Sequence, residues 1–266
     1  MPRCSMQEAM NKASVYIDRR IEDGSKIAIT LPHASHILIM AVSAYLIARQ
    51  IKKQTKDETI DLEKAFVCGL LHDIGRYIVD ERESKYPHTI AGYDRCKKLK
   101  IPGVAPVCLT HAILDKATHE EYPDYTPEQL KFVNDKMSKI NRSFYDDLTM
   151  LVDLHCRGDQ VFHIHDRLEK NIKMYNIQMD NYYDKYMALY NKFTSKYNVD
   201  IYRICRFVAD HRKSIFKHLM PYCHGWLRYV CGDKSVAKDH VAYSRNANIA
   251  QYWKDYLAQQ TKVITK

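Results

Sequence analysis

The sequence predicts an all-α protein. Three observations carry that expectation. Only eight glycines and eight prolines punctuate 266 residues, too few for the many turns of a β fold. Apolar residues recur at three- and four-residue steps in several windows, the spacing of one helical face. No stretch of any length alternates apolar and polar residues as a half-buried strand does.

Residues 5–20 read as a first helix, followed by a turn at Gly24. Residues 35–51 give the clearest pattern, with Ile37, Met40, Ala41, Ala44, Tyr45 and Ala48 on one face. Arg49, Lys52 and Lys53 then supply the positive charge that a helix C-terminus favours. Residues 61–71 form a second helix with Asp61 as its N-cap; it runs into His72 and Asp73, and Gly75 loosens the chain just beyond. Residues 89–99 and 104–114 read as shorter helices separated by Ile101, Pro102 and Gly103. Thr126 followed by Pro127 is a helix start signal. Residues 144–155 are the next helix, which Gly158 ends. Polar helices rich in Tyr and Asn fill residues 161–197. After about residue 200 the chain is dense in Arg, His and aromatics, and a last helix spans residues 248–262.

An apolar content of 46% is enough for a real core. The formal charge is +9, from 41 Lys and Arg against 32 Asp and Glu, a balance that attracts phosphates, nucleotides, nucleic acid or anionic surfaces. None of the eight cysteines forms a C-x-x-C pair, which argues against zinc ribbons and thioredoxin-like chemistry. Most lie in apolar helical runs, where a thiol behaves as a small hydrophobe, so reduced thiols and a cytoplasmic setting are expected. The N-terminus has no signal-peptide core, and the most apolar run, residues 37–47, is too short to cross a bilayer.

The stretch Gly69-Leu70-Leu71-His72-Asp73-Ile74-Gly75-Arg76 puts an imidazole and a carboxylate side by side at the end of an apolar helix. Two adjacent ligands of that kind at a buried helix end suit a divalent metal. The plainer alternative is an exposed helix terminus.

This context resembles the HD-domain superfamily of metal-dependent phosphohydrolases. His36 opens an amphipathic helix as in that pattern, His72 and Asp73 follow, and Asp153 closes it on the apolar run Leu148-Thr149-Met150-Leu151-Val152-Asp153. Family members with two metals add two further histidines. His88, in Tyr86-Pro87-His88, and His111, in Val107-Cys108-Leu109-Thr110-His111, resemble those segments. The resemblance covers roughly residues 30–200. It extends to small bacterial HD proteins and to symmetrical diadenosine-tetraphosphate hydrolases. It implies a helical HD-domain bundle over residues 1–200; residues 201–266 lie outside it, and the change of composition there reads as a basic helical C-terminal extension.

The resemblance also implies a site. His36, His72 and Asp153 would hold one divalent ion with Asp73, and His88 and His111 a second with Asp73. Imidazole and carboxylate ligands favour Fe, Mn, Co or Ni over Zn, with Mg allowed. A metal-bound hydroxide would attack phosphorus in a nucleotide or another phosphorylated small molecule, so Asp73 is a catalytic candidate as well as a ligand. Arg76, one turn beyond the pair, could grip a substrate phosphate and is the second catalytic candidate.

Each residue has a competitor. His33 lies three residues before His36 on the same face. Asp146 and Asp147 are alternatives to Asp153, read as solvated first-turn residues. His88 and His111 could be structural, leaving one metal. Lys116 is a weaker phosphate candidate, and His155, His163 and His165 read as surface residues. Arg203, Arg206, Arg212, Lys213, Trp226 and Arg228 could contact nucleic acid, although at helical spacing a packing core with a solvated basic face fits better. A di-iron oxygenase would share the same ligands, and a nucleotide-binding module without turnover is a further alternative.

Overall fold

The computed structural model describes residues 31–77, 86–99, 101, 103–178 and 180–219; for residues 31–34, 77 and 216–219 it describes the backbone alone. The expected helices at 5–20 and 248–262, and Trp226 and Arg228, lie outside these residues.

The described chain is all-α apart from one minimal hairpin. Helix α1 spans Leu31–Thr55 and α2 spans Leu62–Leu71, with Asp61 accepting a hydrogen bond from the Lys64 amide as its cap. A short 3-10 turn, Ile74–Tyr77, follows. Next come α3 (His88–Lys98), α4 (Val104–Thr110) and α5 (Pro127–Met137). Helix α5 begins with a full capping box between Thr126 and Gln129. Helix α6 is Phe144–His155. After the hairpin come α7 (Ile164–Tyr175), α8 (Tyr182–Tyr197), α9 (Ile201–Asp210) and α10 (Arg212–Leu219). Asn176 and Asn198 end α7 and α8 in the left-handed conformation, a task asparagine tolerates better than most residues.

Two sequence expectations change here. The helix at 144–155 is ended not by Gly158 but by Cys156, whose backbone turns extended at φ −117° and ψ 136°. The chain then pairs β1 (Cys156–Arg157) with β2 (Gln160–Val161). Gly158, with φ 60°, supplies the positive angle that the first position of this tight turn needs. The strands are two residues each, too short to leave an alternating signature. The helix expected over 104–114 stops at Thr110, and residues 111–114 form an irregular turn.

Helix α1 is the axis of the fold. Its residues 35–48 are buried on every side, not along one stripe. A helix apolar all round belongs inside a bundle. Helices α2 and α6 cover one part of it and α9 another. Gly69 sets the closeness of α1 and α2: a β-carbon there would stand 2.7 Å from the Met40 carbonyl oxygen. Ile201, Ile204, Cys205, Val208 and Ala209 of α9 join the same apolar cluster as Ile37, Met40 and Ile47 of α1. Among the described residues no helix is long and apolar enough to cross a membrane.

Candidate metal centre

Five elements bring the six expected ligands to one place. Helix α1 carries His36, the end of α2 carries His72 and Asp73, the first residue of α3 is His88, the residue after α4 is His111, and α6 carries Asp153. These positions share a logic. Helix ends leave backbone groups unsatisfied and bring side chains out of the packed interior, so three of the five segments present their ligands at a terminus.

The donor atoms fall into two overlapping groups that share Asp73. One atom each from His36, His72 and Asp73 lies within 4.8 Å of the others, and so does one each from Asp73, His88 and His111. Nε2 of His36 is 3.2 Å from Nε2 of His72 and 3.1 Å from Oδ1 of Asp153. Nε2 of His72 is 3.7 Å from the same Asp153 oxygen. On the other side, Asp73 Oδ1 lies 3.1 Å from His88 Nε2 and 3.5 Å from His111 Nε2. Asp73 Oδ2 points back toward His72 at 3.8 Å and His36 at 4.0 Å.

The far sides of two rings are fixed. Nδ1 of His72 donates to the Gly69 carbonyl at 2.8 Å, and Nδ1 of His111 donates to the Val107 carbonyl at 3.0 Å. With the proton on Nδ1, the Nε2 lone pair faces the cluster. That is the tautomer a cation needs, set by the backbone in the way typical of metal-binding histidines. Burial pushes the His72 imidazole down to about 3, against the pull of Asp73, so the ring is neutral at physiological pH. Burial opposes ionisation of Asp73, yet chiefly the Arg76 guanidinium beside it holds it well below the usual carboxylate range. Asp153 is depressed as well, because the His36 hydrogen bond and charge outweigh its burial. Imidazoles and ionised carboxylates, converging from several elements, fit a divalent cation.

Arg76 reaches the cluster from its rim. Its Nε donates to Asp73 Oδ2 at 2.7 Å and its Nη2 lies 3.2 Å from His88 Nε2, while the side chain remains 37% exposed. Lys116 is exposed and makes no contact with the six residues among those described. The side chain of His33 lies outside the described residues. His163 and His165 are exposed, as expected, but His155 is not a surface residue: it is buried, and its Nδ1 donates to the Phe162 carbonyl across the hairpin. Asp146 is likewise not solvated. It is buried, and accepts from Thr110 Oγ1 at 2.6 Å and from the Ser143 hydroxyl and amide. Its partner Thr110 is 36 positions away, beyond the reach of any local pattern. Asp147 accepts from Arg142 Nε at 2.9 Å.

The turn after α4 is supported beyond its own backbone, which the sequence did not reveal. Arg142 Nη1 donates to the carbonyls of Thr110, Ile113 and Leu114, the first an acceptor that the end of α4 would leave open and the other two in the turn beyond it. A guanidinium reads as a surface charge in sequence; only the fold shows it at a helix end.

Residues 34–137 match the family model of the HD domain. The match includes His36, His72, Asp73, His88 and His111, and Asp153 lies beyond it. With ten helices and one minimal hairpin among the described residues, the architecture agrees with that all-α domain. No curated protein and no solved structure matches the chain.

Proposed function

We propose that this chain, whose residues 34–137 match the HD-domain family model, is a metal-dependent phosphohydrolase acting on a phosphoester or phosphoanhydride of a nucleotide-like molecule. One observation carries the reading. Four imidazoles and two carboxylates from separate elements converge, with the His72 and His111 tautomers set so that Nε2 faces inward. Buried polar groups are costly unless they are paired or coordinate something, and a cluster of this composition has coordination as its natural use.

His36, His72, Asp153 and Asp73 would hold one divalent ion, and Asp73, His88 and His111 a second. Ions so held lower the pKa of a bound water and neutralise charge on phosphoryl oxygens. The chain's own residues do the rest. Asp73 stays ionised and offers one oxygen to each half of the cluster. Leu70 and Leu71 of α2 and Leu151 and Val152 of α6, next to these residues in sequence, are buried, and apolar surroundings strengthen charge interactions. Arg76 at the rim presents a planar fork that matches two phosphate oxygens.

A small phosphorylated substrate fits better than a polynucleotide. In the basic C-terminal part, Arg206 pairs with Asp210 at 2.9 Å and Arg212 with Asp159 at 3.1 Å, so part of its positive charge is already neutralised. A cytoplasmic setting belongs to the same reading, supported by five buried free cysteines among the described residues.

The test is phosphate release from a panel of nucleotides by purified protein supplied with Mn²⁺, Co²⁺ or Fe²⁺, beside an Asp73→Ala control. Metal-dependent release that the control lacks is expected. Release no greater than the control across the panel would overturn the reading.

A further inference from the structure

The turn that carries His111 is fastened on its other side to a buried acidic group that the site itself does not use. Glu121 is 3% exposed. Its Oε1 lies 2.6 Å from the hydroxyl of Tyr186 and 3.2 Å from that of Tyr122, and its Oε2 accepts from Lys185 Nζ at 3.0 Å. Both tyrosine hydroxyls also approach one backbone acceptor, the carbonyl of Ala112, Tyr122 at 2.6 Å and Tyr186 at 3.1 Å. Ala112 is the residue next to His111.

Proton counting assigns the donors. Two hydroxyls hold two protons, and the acceptors are the Ala112 carbonyl and Glu121 Oε1. The two 2.6 Å contacts place one proton on each: Tyr122 donates to Ala112 and Tyr186 donates to Glu121. Lys185 neutralises the carboxylate and also reaches Asp115 Oδ1 at 2.7 Å. This chain of contacts ties α8, 74 positions away from Ala112 at Tyr186, to the peptide beside one ligand. A buried carboxylate with this many partners is costly to assemble. Holding one peptide group in place gives it a use that general stability does not require.

We infer that Glu121, Tyr122 and Tyr186 are positioning residues for His111, and so for the half of the centre formed by Asp73, His88 and His111. The inference rests on the two-ion reading above. Orienting groups one step removed from metal ligands typically change affinity 10- to 100-fold when removed. The His36, His72 and Asp153 half meets this one at Asp73 and where the His72 and His111 rings stand 5.0 Å apart, one step further from the tyrosines, so it serves as the comparison. Arg142 grips the same turn from the opposite direction, and a single hydroxyl deletion therefore loosens one peptide without releasing the whole turn.

The experiment is Co²⁺ titration of the metal-free full-length protein by calorimetry and visible absorption. His88→Ala and His36→Ala identify which uptake step belongs to which half. Tyr122→Phe and Tyr186→Phe, each checked for a single cooperative melt, are expected to weaken the step that His88→Ala abolishes by about tenfold and to leave the other within about twofold. Equal weakening of both steps, or of neither, overturns the positioning role while leaving two-ion binding intact. Uptake of fewer than two Co²⁺ per chain by the unaltered protein overturns the two-ion reading and this inference with it.

Discussion

Gly75 passes directly beneath His88: a β-carbon built on Gly75 would stand 1.8 Å from the His88 carbonyl oxygen. The 3-10 turn that follows Asp73 and the first turn of α3 are thus pressed together at a point where no side chain fits. Gly92, one turn further along α3, lies against the same turn: a β-carbon built there would be 3.3 Å from the Gly75 amide nitrogen.

A methyl group at Gly75 must therefore displace the backbone that carries His88. Gly75→Ala is expected to destabilise the protein by about 3 kcal/mol, toward the upper end of overpacking costs, and to weaken cation uptake by the half that contains His88. Urea denaturation and Co²⁺ titration check the two effects. Wild-type stability in the variant would refute the close contact.

Arg76 sits at the rim with its guanidinium on Asp73 and His88. Arg76→Ala is expected to raise KM for the phosphorylated substrate about tenfold or more, the loss of one charge-assisted contact, with Co²⁺ stoichiometry retained. Arg76→Lys should recover little of it, because an ammonium lacks the fork. Steady-state kinetics read both variants. An unchanged KM would leave Arg76 as a partner of Asp73 only.

His155 gives the protein a pH dependence. Nδ1 is committed to the Phe162 carbonyl, and Nε2 is buried with no hydrogen-bond partner among the described residues. A second proton would have nowhere to go, and burial pushes the imidazole down to about 4 from 6.5. The folded pKa is the lower one, so this contribution to stability is fully present above pH 6.5 and is lost as pH falls towards 4. The total is about 3 kcal/mol, at roughly 1.4 kcal/mol per pKa unit. Urea denaturation across this range should show a steeper loss for the unaltered protein than for His155→Gln. Parallel curves would show that the imidazole titrates normally.

Helix α9 should behave as core. Ile204 is buried in the cluster that includes α1, and Ile204→Ala is expected to cost about 3 kcal/mol, the usual range for a large-to-small change in a packed interior. Denaturation should remain a single transition if α9 and the helices of the centre unfold together. A cost below about 1 kcal/mol, or a separate early transition, would set α9 apart.

How legible all this was depends on range. The candidate ligands could be picked out because each has a local context: His36 precedes the apolar run of α1, His72 and Asp73 follow the apolar α2, and Asp153 interrupts the apolar run of α6. Helix limits were readable where a cap sits in the chain, as at Asp61 and Thr126. What escaped depends on residues far apart. The roles of Asp146, Glu121 and Arg142 come from Thr110, Tyr186 and the end of α4, each at least 28 positions distant. The face pattern of α1 showed half of its apolar residues and hid the rest, since a helix wrapped by neighbours has no polar side to mark the limit of burial. The hairpin is built on two-residue strands, and a period of two cannot show itself over two residues.

The enclosure of α1 has a consequence for motion. Between residues 37 and 48 its backbone amides have no solvent-facing side from which to open singly, and covering helices from both ends of the described chain must part first. Their exchange with heavy water should therefore proceed only through global unfolding, making them the slowest protons in the molecule. The helix that carries His36 would then be the last to come apart.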